Sequence, residues 1–476
     1  MAEFDLVIAG ADVATAGGRA RADVGVRSGR IAAISERIDG GRVRIEGGGK
    51  LLLPGGIDAH CHLDQPRIEG GASRGAMMAD DLRSGTLSAA FGGTTTIIPF
   101  APQLKGQTLR EAVDEYHRRA AGKAYVDYGF HLIVTDPTPD ALERELPVLA
   151  GEGYTSVKVY MAYETMRISD RAILDVLAAC DAAGALTMIH AENLDCIEWL
   201  TARLEEAGNI APRYHAPSRP MAVEREATHR AITLAEVAGV PLLVVHVSGR
   251  EAIEEIARAR LRGVRIYAET CPQYLFLSEA DLDLPDFEGA KCMCSPPPRD
   301  AANQEHVWRG IASGILTVFS SDHAPYRFDD TGKLRYGPKA SFRVVANGIP
   351  GLETRMPLLF SEGVIKGRIT LEQFVALTAT TPARLYGLLP HKGTIAVGAD
   401  ADLALWDPER RVTLRNTMLH HNVNYTPYEG REIQGWPVKV WSRGELVCDE
   451  GELRARPGRG QFLKRARWDG SRGSSS

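Results

Sequence analysis

Over the first fifty residues, short runs of apolar and polar positions are broken by glycine, as in "FDLVIAG", "DVGVRSGRIAAI" and "RVRIEGG". That pattern predicts β-hairpins. The pattern then changes. Short apolar runs alternate with helical stretches such as "ISDRAILDVLAACDAAG" and "AVEREATHRAITLAEVAG". In order, the runs are "GGIDAHCHL", "GTTTIIPFA", "YGFHLIVTD", "TSVKVYMAY", "ALTMIHAEN", "PLLVVHVSG", "RIYAETCPQY" and "TVFSSDHAP". Strands alternating with helices predict a parallel sheet. Eight of them predict a (β/α)8 TIM-like barrel, placed over 55–389. After residue 390 the β pattern returns in "GTIAVGADADLALWDP" and "VKVWSRGELVCDEGEL". Neither β segment is large enough to stand alone. Residues 1–54 and 390–450 are therefore expected to combine into one small β-sandwich beside the barrel. The Arg- and Gly-rich tail, 451–476, is expected as a solvated arm with a disordered end, or as a strap reaching a neighbouring subunit.

Composition narrows the class. The chain has 476 residues, enough for one large core and a smaller unit. Its net charge of −5 argues against a nucleic-acid partner. No apolar run is long enough for a membrane span. The start, "MAEFDLVIAG", lacks the basic segment of a signal peptide, so a cytoplasmic protein is expected. The seven cysteines show no C-x-x-C spacing and read as reduced thiols. "GGGKLL" lacks the spacing of a phosphate-binding loop.

In a barrel of this kind, function sits at the C-terminal ends of the strands. Ligand-type side chains interrupt the apolar runs there. The first strand carries His60 and His62, which share a face because strand side chains alternate. The fourth carries Lys158, the fifth His190, the sixth His246 and the eighth Asp322. One such histidine is ordinarily a hydrogen-bonded core residue. Four histidines, an aspartate and a lysine at one mouth point instead to metal. Two divalent cations about 3.5–4 Å apart repel strongly and need anions between them, where an ammonium would add to the repulsion. A carbamate on Lys158, formed from CO2 and the neutral amine, would supply such an anion. An ion pair with a nearby acid is the alternative, and it suits the apolar strand "TSVKVYMAY" poorly.

The motifs "GGIDAHCHLDQP", "TSVKVYMAY", "MIHAEN", "VVHVSG" and "SSDHAPY" resemble the amidohydrolase superfamily and, within it, the dihydropyrimidinase and hydantoinase family. The resemblance runs through "CSPPPRD", "NGIPG" and "GRGQFLKR", covering almost the whole chain. It implies two zinc ions per subunit. His60, His62 and Asp322 would bind the more buried one, and His190 and His246 the other. Lys158, as N6-carboxylysine, would bridge both together with a water or hydroxide. It also implies that Asp322 shuttles a proton, that Tyr163 stabilises the oxyanion, and that backbone groups of Ser295 and Asn347 hold the ring –NH–CO– edge. A homotetramer is implied too. Cys61, between the two histidines, is expected to face away and pack.

The expected reaction is hydrolysis of a cyclic amide, a dihydropyrimidine or 5-substituted hydantoin, to an N-carbamoyl amino acid. A cyclic imide hydrolase and an allantoinase-like ureide hydrolase are the alternatives. "LDQP" departs from the Glu-Pro-Gly type sequence usual after the two histidines in allantoinase and dihydroorotase relatives. Non-catalytic scaffold members of the family lack metal ligands, whereas all six are present here. Gln65 and Arg67 stand where hydantoinases often carry apolar residues, so a preference for polar or acidic ring substituents is expected if they line the mouth.

Overall fold

The computed structural model describes residues 3–468, which form two nine-stranded sheets. The strands, in chain order, are β1 (Leu6–Thr15), β2 (Gly18–Arg27), β3 (Arg30–Ser35), β4 (Val43–Glu46), β5 (Leu51–Pro54), β6 (Gly56–Cys61), β7 (Thr94–Pro102), β8 (Asp127–Tyr128) and β9 (His131–Ile133). They continue as β10 (Ser156–Tyr160), β11 (Leu186–His190), β12 (Leu242–Val244), β13 (Ile266–Thr270), β14 (Val318–Phe319), β15 (Leu403–Thr413), β16 (Glu432–Ser442), β17 (Glu445–Asp449) and β18 (Glu452–Leu453).

The second sheet runs β6-β7-β9-β10-β11-β12-β13-β14, all parallel, with β8 beside β7. These eight strands are the eight apolar runs of the sequence. Every residue of β6, β7, β10 and β11 is buried, as a strand covered on both faces must be. The barrel closes between its first and last strands, where the His62 N–H donates to the His323 carbonyl at 2.7 Å. Helices pack outside it. The helix Leu109–Ala120 buries Leu109, Ala112, Val113, Tyr116 and Ala120, a helical stripe, and starts at a capping box of Thr108 and Glu111. The helix Asp170–Ala183 starts at Ser169 and ends at Gly184, whose φ of +70° suits glycine.

The two chain ends meet in the other sheet, ordered β18-β17-β16-β15-β5-β1-β2-β3 with β4 beside β1. The joint is β15 antiparallel to β5, from Leu403 opposite Pro54 to Trp406 opposite Leu51. Trp406 is fully buried and packs on Phe360 and Phe374. Replacing it by alanine would cost about 3–5 kcal/mol. Gly435 (φ +93°) lets β16 pass close to Phe360, since a Cβ there would lie 2.3 Å from the ring.

Up to Trp468, the tail is mostly exposed but seated on its own barrel at a few points. It lies along the base of its own barrel. The Leu463 N–H donates to the Tyr128 carbonyl and that of Trp468 to Gly184, both at 2.7 Å. Arg465 is buried there, donating to Ser156 Oγ (2.7 Å) and the Phe130 carbonyl (2.5 Å). The expected disordered end, 469–476, lies outside the described residues. All seven cysteines are free thiols, and Cys61 is buried in the main apolar core. No described helix is long and apolar enough to cross a membrane.

Candidate metal centre

His60 lies in β6, and His62 follows it directly. Lys158 sits mid-strand in β10 and His190 ends β11, while His246 and Asp322 follow β12 and β14. The barrel brings all six together. One Asp322 carboxylate oxygen lies 3.1 Å from His60 Nε2 and 3.3 Å from His62 Nε2. The ligand atoms of these three residues fall within 4.8 Å of one another. Lys158 Nζ is 2.8 Å from His60 Nε2. The His246 ring lies 4.5 Å from that of His190 and 5.4 Å from that of His60, centroid to centroid. His246 and Asp322 adopt positive φ, +38° and +49°, where residues other than glycine are strained.

Carboxylates and an amide behind the histidines orient them. His60 Nδ1 meets Glu269 at 2.5 Å, which leaves Nε2 facing the centre. His190 Nε2 meets Glu192 at 2.8 Å, and Arg219 holds Glu192 at 2.7 Å. His62 Nδ1 meets Gln65 Oε1 at 3.1 Å, and the Gln65 amide donates to the Phe100 carbonyl. His246 Nδ1 is buried with no hydrogen-bond partner among the described residues.

Electrostatics favours a ligand set. Burial pushes His62 down to about 4 and lowers His190 and His246 as well, so all three are neutral bases at physiological pH. His60 is the exception. Burial and Lys158 oppose its charge, but Glu269 and Asp322 outweigh them and raise it. Burial also opposes ionisation of Asp322, yet the neighbouring histidines hold it well below the usual carboxylate range. Burial draws Lys158 from its ordinary 10.5 to about 8, and it forms no ion pair with a carboxylate among the described residues. A buried orphan imidazole, neutral histidines, an ionised carboxylate and an unpaired amine form a donor set that suits a pair of divalent cations.

Tyr163, Ser295 and Asn347 line the same cavity as Lys158, His190, His246 and Asp322. Tyr163 lies three residues beyond the end of β10, at φ +66°. Ser295 and Asn347 are on loops joined by Lys333, a buried lysine that donates to the carbonyls of Met293 (3.0 Å) and Ala346 (2.9 Å). Gln65 lines the cavity too. Arg67 does not: it is exposed, with its guanidinium against the Met77 sulfur, so it cannot set a substrate preference from within the cavity.

The sequence reading missed Glu269, Glu192, Arg219 and Lys333. Glu192 carried a signal, because it follows His190 by two residues in "MIHAEN". Glu269 carried a weaker one, a lone acid near the end of an apolar strand. Lys333 carried none, since only the fold brings it to both loops.

The amidohydrolase family model matches residues 51–447. The chain is 43% identical over 466 residues to a D-hydantoinase of Rhizobium radiobacter, covering 98% of this chain and all of that one. It is 45% identical over 449 residues to a D-hydantoinase of Geobacillus stearothermophilus, covering 94% and 93%. A solved dihydropyrimidinase from Brevibacillus agri superposes with a TM-score of 0.93 at 42% identity, over 97% of this chain and 99% of that one. An L-hydantoinase from Arthrobacter aurescens superposes with a TM-score of 0.86 at 30% identity, over 97% and 100%.

Proposed function

The chain belongs to the amidohydrolase family, and from that premise we propose that it hydrolyses a cyclic amide, a 5-substituted hydantoin or dihydropyrimidine, to an N-carbamoyl amino acid. In this reading His60, His62 and Asp322 would hold one zinc ion and His190 and His246 the other, with Lys158, as a carbamate, supplying further ligand atoms. The cations, when bound, supply an acidified water and a Lewis acid for the carbonyl. The observation that carries the proposal is Lys158: buried, without a carboxylate partner and drawn toward its neutral form, it has the amine lone pair that adds to CO2.

The other residues act around that centre. Ionised Asp322 takes the proton of the attacking water and delivers it to the ring nitrogen as the amide bond breaks. Burial holds the Tyr163 hydroxyl in its protonated form, so it donates to the oxygen that gains charge as the carbonyl becomes tetrahedral. The Ser295 and Asn347 loops, tied by Lys333, hold the ring edge at fixed spacing.

The test is steady-state kinetics of the zinc-loaded protein across dihydrouracil, 5-substituted hydantoins and succinimide, with Asp322→Asn alongside. The expected result is ring opening of hydantoins or dihydrouracil, with kcat lower by at least ~10²-fold in the variant while zinc is retained. Preferential opening of succinimide would favour the imide reading. Wild-type turnover by Asp322→Asn would remove its proton-transfer role.

A further inference from the structure

A second cavity, of about 220 Å3, adjoins the metal centre, and Tyr163 and Asn347 line both. Three arginines, Arg74, Arg219 and Arg343, reach this second cavity. Two are matched by carboxylates: Arg219 pairs with Glu192 at 2.7 Å and Arg343 with Glu205 at 2.9 Å. Arg74 forms no ion pair among the described residues. Its Nε is buried without a hydrogen-bond partner, and its guanidinium lies 6.0 Å from the centre of the Tyr163 ring. The Arg219 guanidinium lies 5.8 Å from the same ring, so two cations flank the side chain that faces the reacting centre. The backbone of Arg74 is held at φ +47°, a strained conformation for an arginine.

These features are costly unless an anion completes them. Arg74 is half-buried; an Nε shut off from water needs a partner, and two neighbouring arginines make the charge harder to hold. Burial and Arg219 indeed lower the Arg74 pKa from its ordinary value. The acids of this cavity leave the position open. Glu69 is engaged by Arg335 (3.3 Å) and Tyr336 (3.0 Å), while Glu164 and Glu198 are exposed and form no ion pair among the described residues.

We propose that the cavity beyond Tyr163 binds a carboxylate carried on the ring substituent of the substrate, with Arg74 as its hydrogen-bonding partner. The proposal rests on the cyclic-amide reading above and adds the chemical class of the substituent. A planar carboxylate matches the forked donors of a guanidinium. The substituent passes Tyr163 while the ring stays at the metal centre.

The experiment compares 5-(2-carboxyethyl)hydantoin with 5-(2-carbamoylethyl)hydantoin, which are near-identical in shape and differ in charge. The readout is the acid-to-amide ratio of kcat/KM in wild type, Arg74→Gln, Arg74→Lys and, as an exposed control, Arg67→Gln. The expected ratio is at least ~10 in wild type and Arg67→Gln, near one in Arg74→Gln, and intermediate in Arg74→Lys. A wild-type ratio near one, or a ratio unmoved by both Arg74 variants, would overturn the proposal. If the zinc-loaded protein opens neither ring, the catalytic reading fails separately. Calorimetric titration with the same two compounds then decides the subsite. Binding of the acid that Arg74→Gln abolishes supports it, and equal binding of acid and amide overturns it.

Discussion

At the base of the barrel, Lys392 is buried among aspartates, 2.6 Å from Asp127, 2.7 Å from Asp402 and 3.1 Å from Asp400. Asp127 belongs to the barrel sheet, whereas Asp402 immediately precedes β15 of the sheet built from the chain ends. At the mouth, Lys158 is equally buried but has an imidazole at 2.8 Å and no carboxylate ion pair among the described residues. The consequences are opposite. Burial works against the charge of Lys392, but three aspartates overcome it and raise its pKa. Burial prevails over the more distant acids around Lys158 and draws it down to about 8. A buried cation whose partners are complete fastens two sheets together. One whose partners are missing is held ready for chemistry that completes it.

The largest expected effect tests the mouth. Lys158→Ala should lose most bound zinc and, with it, turnover, as measured by elemental analysis and by hydantoin hydrolysis. Full zinc content with normal turnover would break the comparison, because the unpaired lysine would then be dispensable. At the base, Lys392→Met leaves buried aspartates without their cation. It should lower unfolding free energy by roughly 3–5 kcal/mol in denaturant melts, while zinc per folded subunit stays unchanged. A small stability loss coupled to zinc loss would instead make the base part of the site. The smallest effect sharpens the contrast within the mouth. Glu269→Gln keeps an acceptor for His60 Nδ1 but removes its charge, so zinc affinity should fall about 10–100-fold in a competition assay with a chelator. Unchanged affinity would mean that Glu269 is only a packing partner.

Much of the barrel was legible because its signals are local. Each apolar run is buried on both sides, and helices such as Leu109–Ala120 and Asp170–Ala183 carry their own stripe and caps, as Thr108, Glu111, Ser169 and Gly184 show. The candidate ligands were visible for the same reason, since a histidine or lysine inside an apolar run breaks a rule that a single strand must otherwise obey. The course of the tail was not legible, because the contacts that seat Arg465 are long-range. Its burial depends on Ser156 and the Phe130 carbonyl, more than 300 residues away, at the opening of two strands. The position of Arg67 after the first strand left open whether it lines the mouth or points to water. The loop turns it to the surface and brings Arg74, seven residues later, to the cavity beside it.

What the sequence determined by itself is therefore the set of short-range facts: which runs are strands, which residues share a strand face, and that His60 and His62 point the same way while Cys61 packs behind them. These depend on backbone geometry and on the two-residue period of a strand, both carried within a few residues. Only the tertiary structure decided which charges are matched. Glu269 reaches His60 across 209 positions, Lys392 finds Asp127 across 265, and Arg74 is left without a partner among the described residues. Pairing is a property of where separate strand ends and loops come to rest, and a charge cannot be read as matched or unmatched until the fold has placed everything around it.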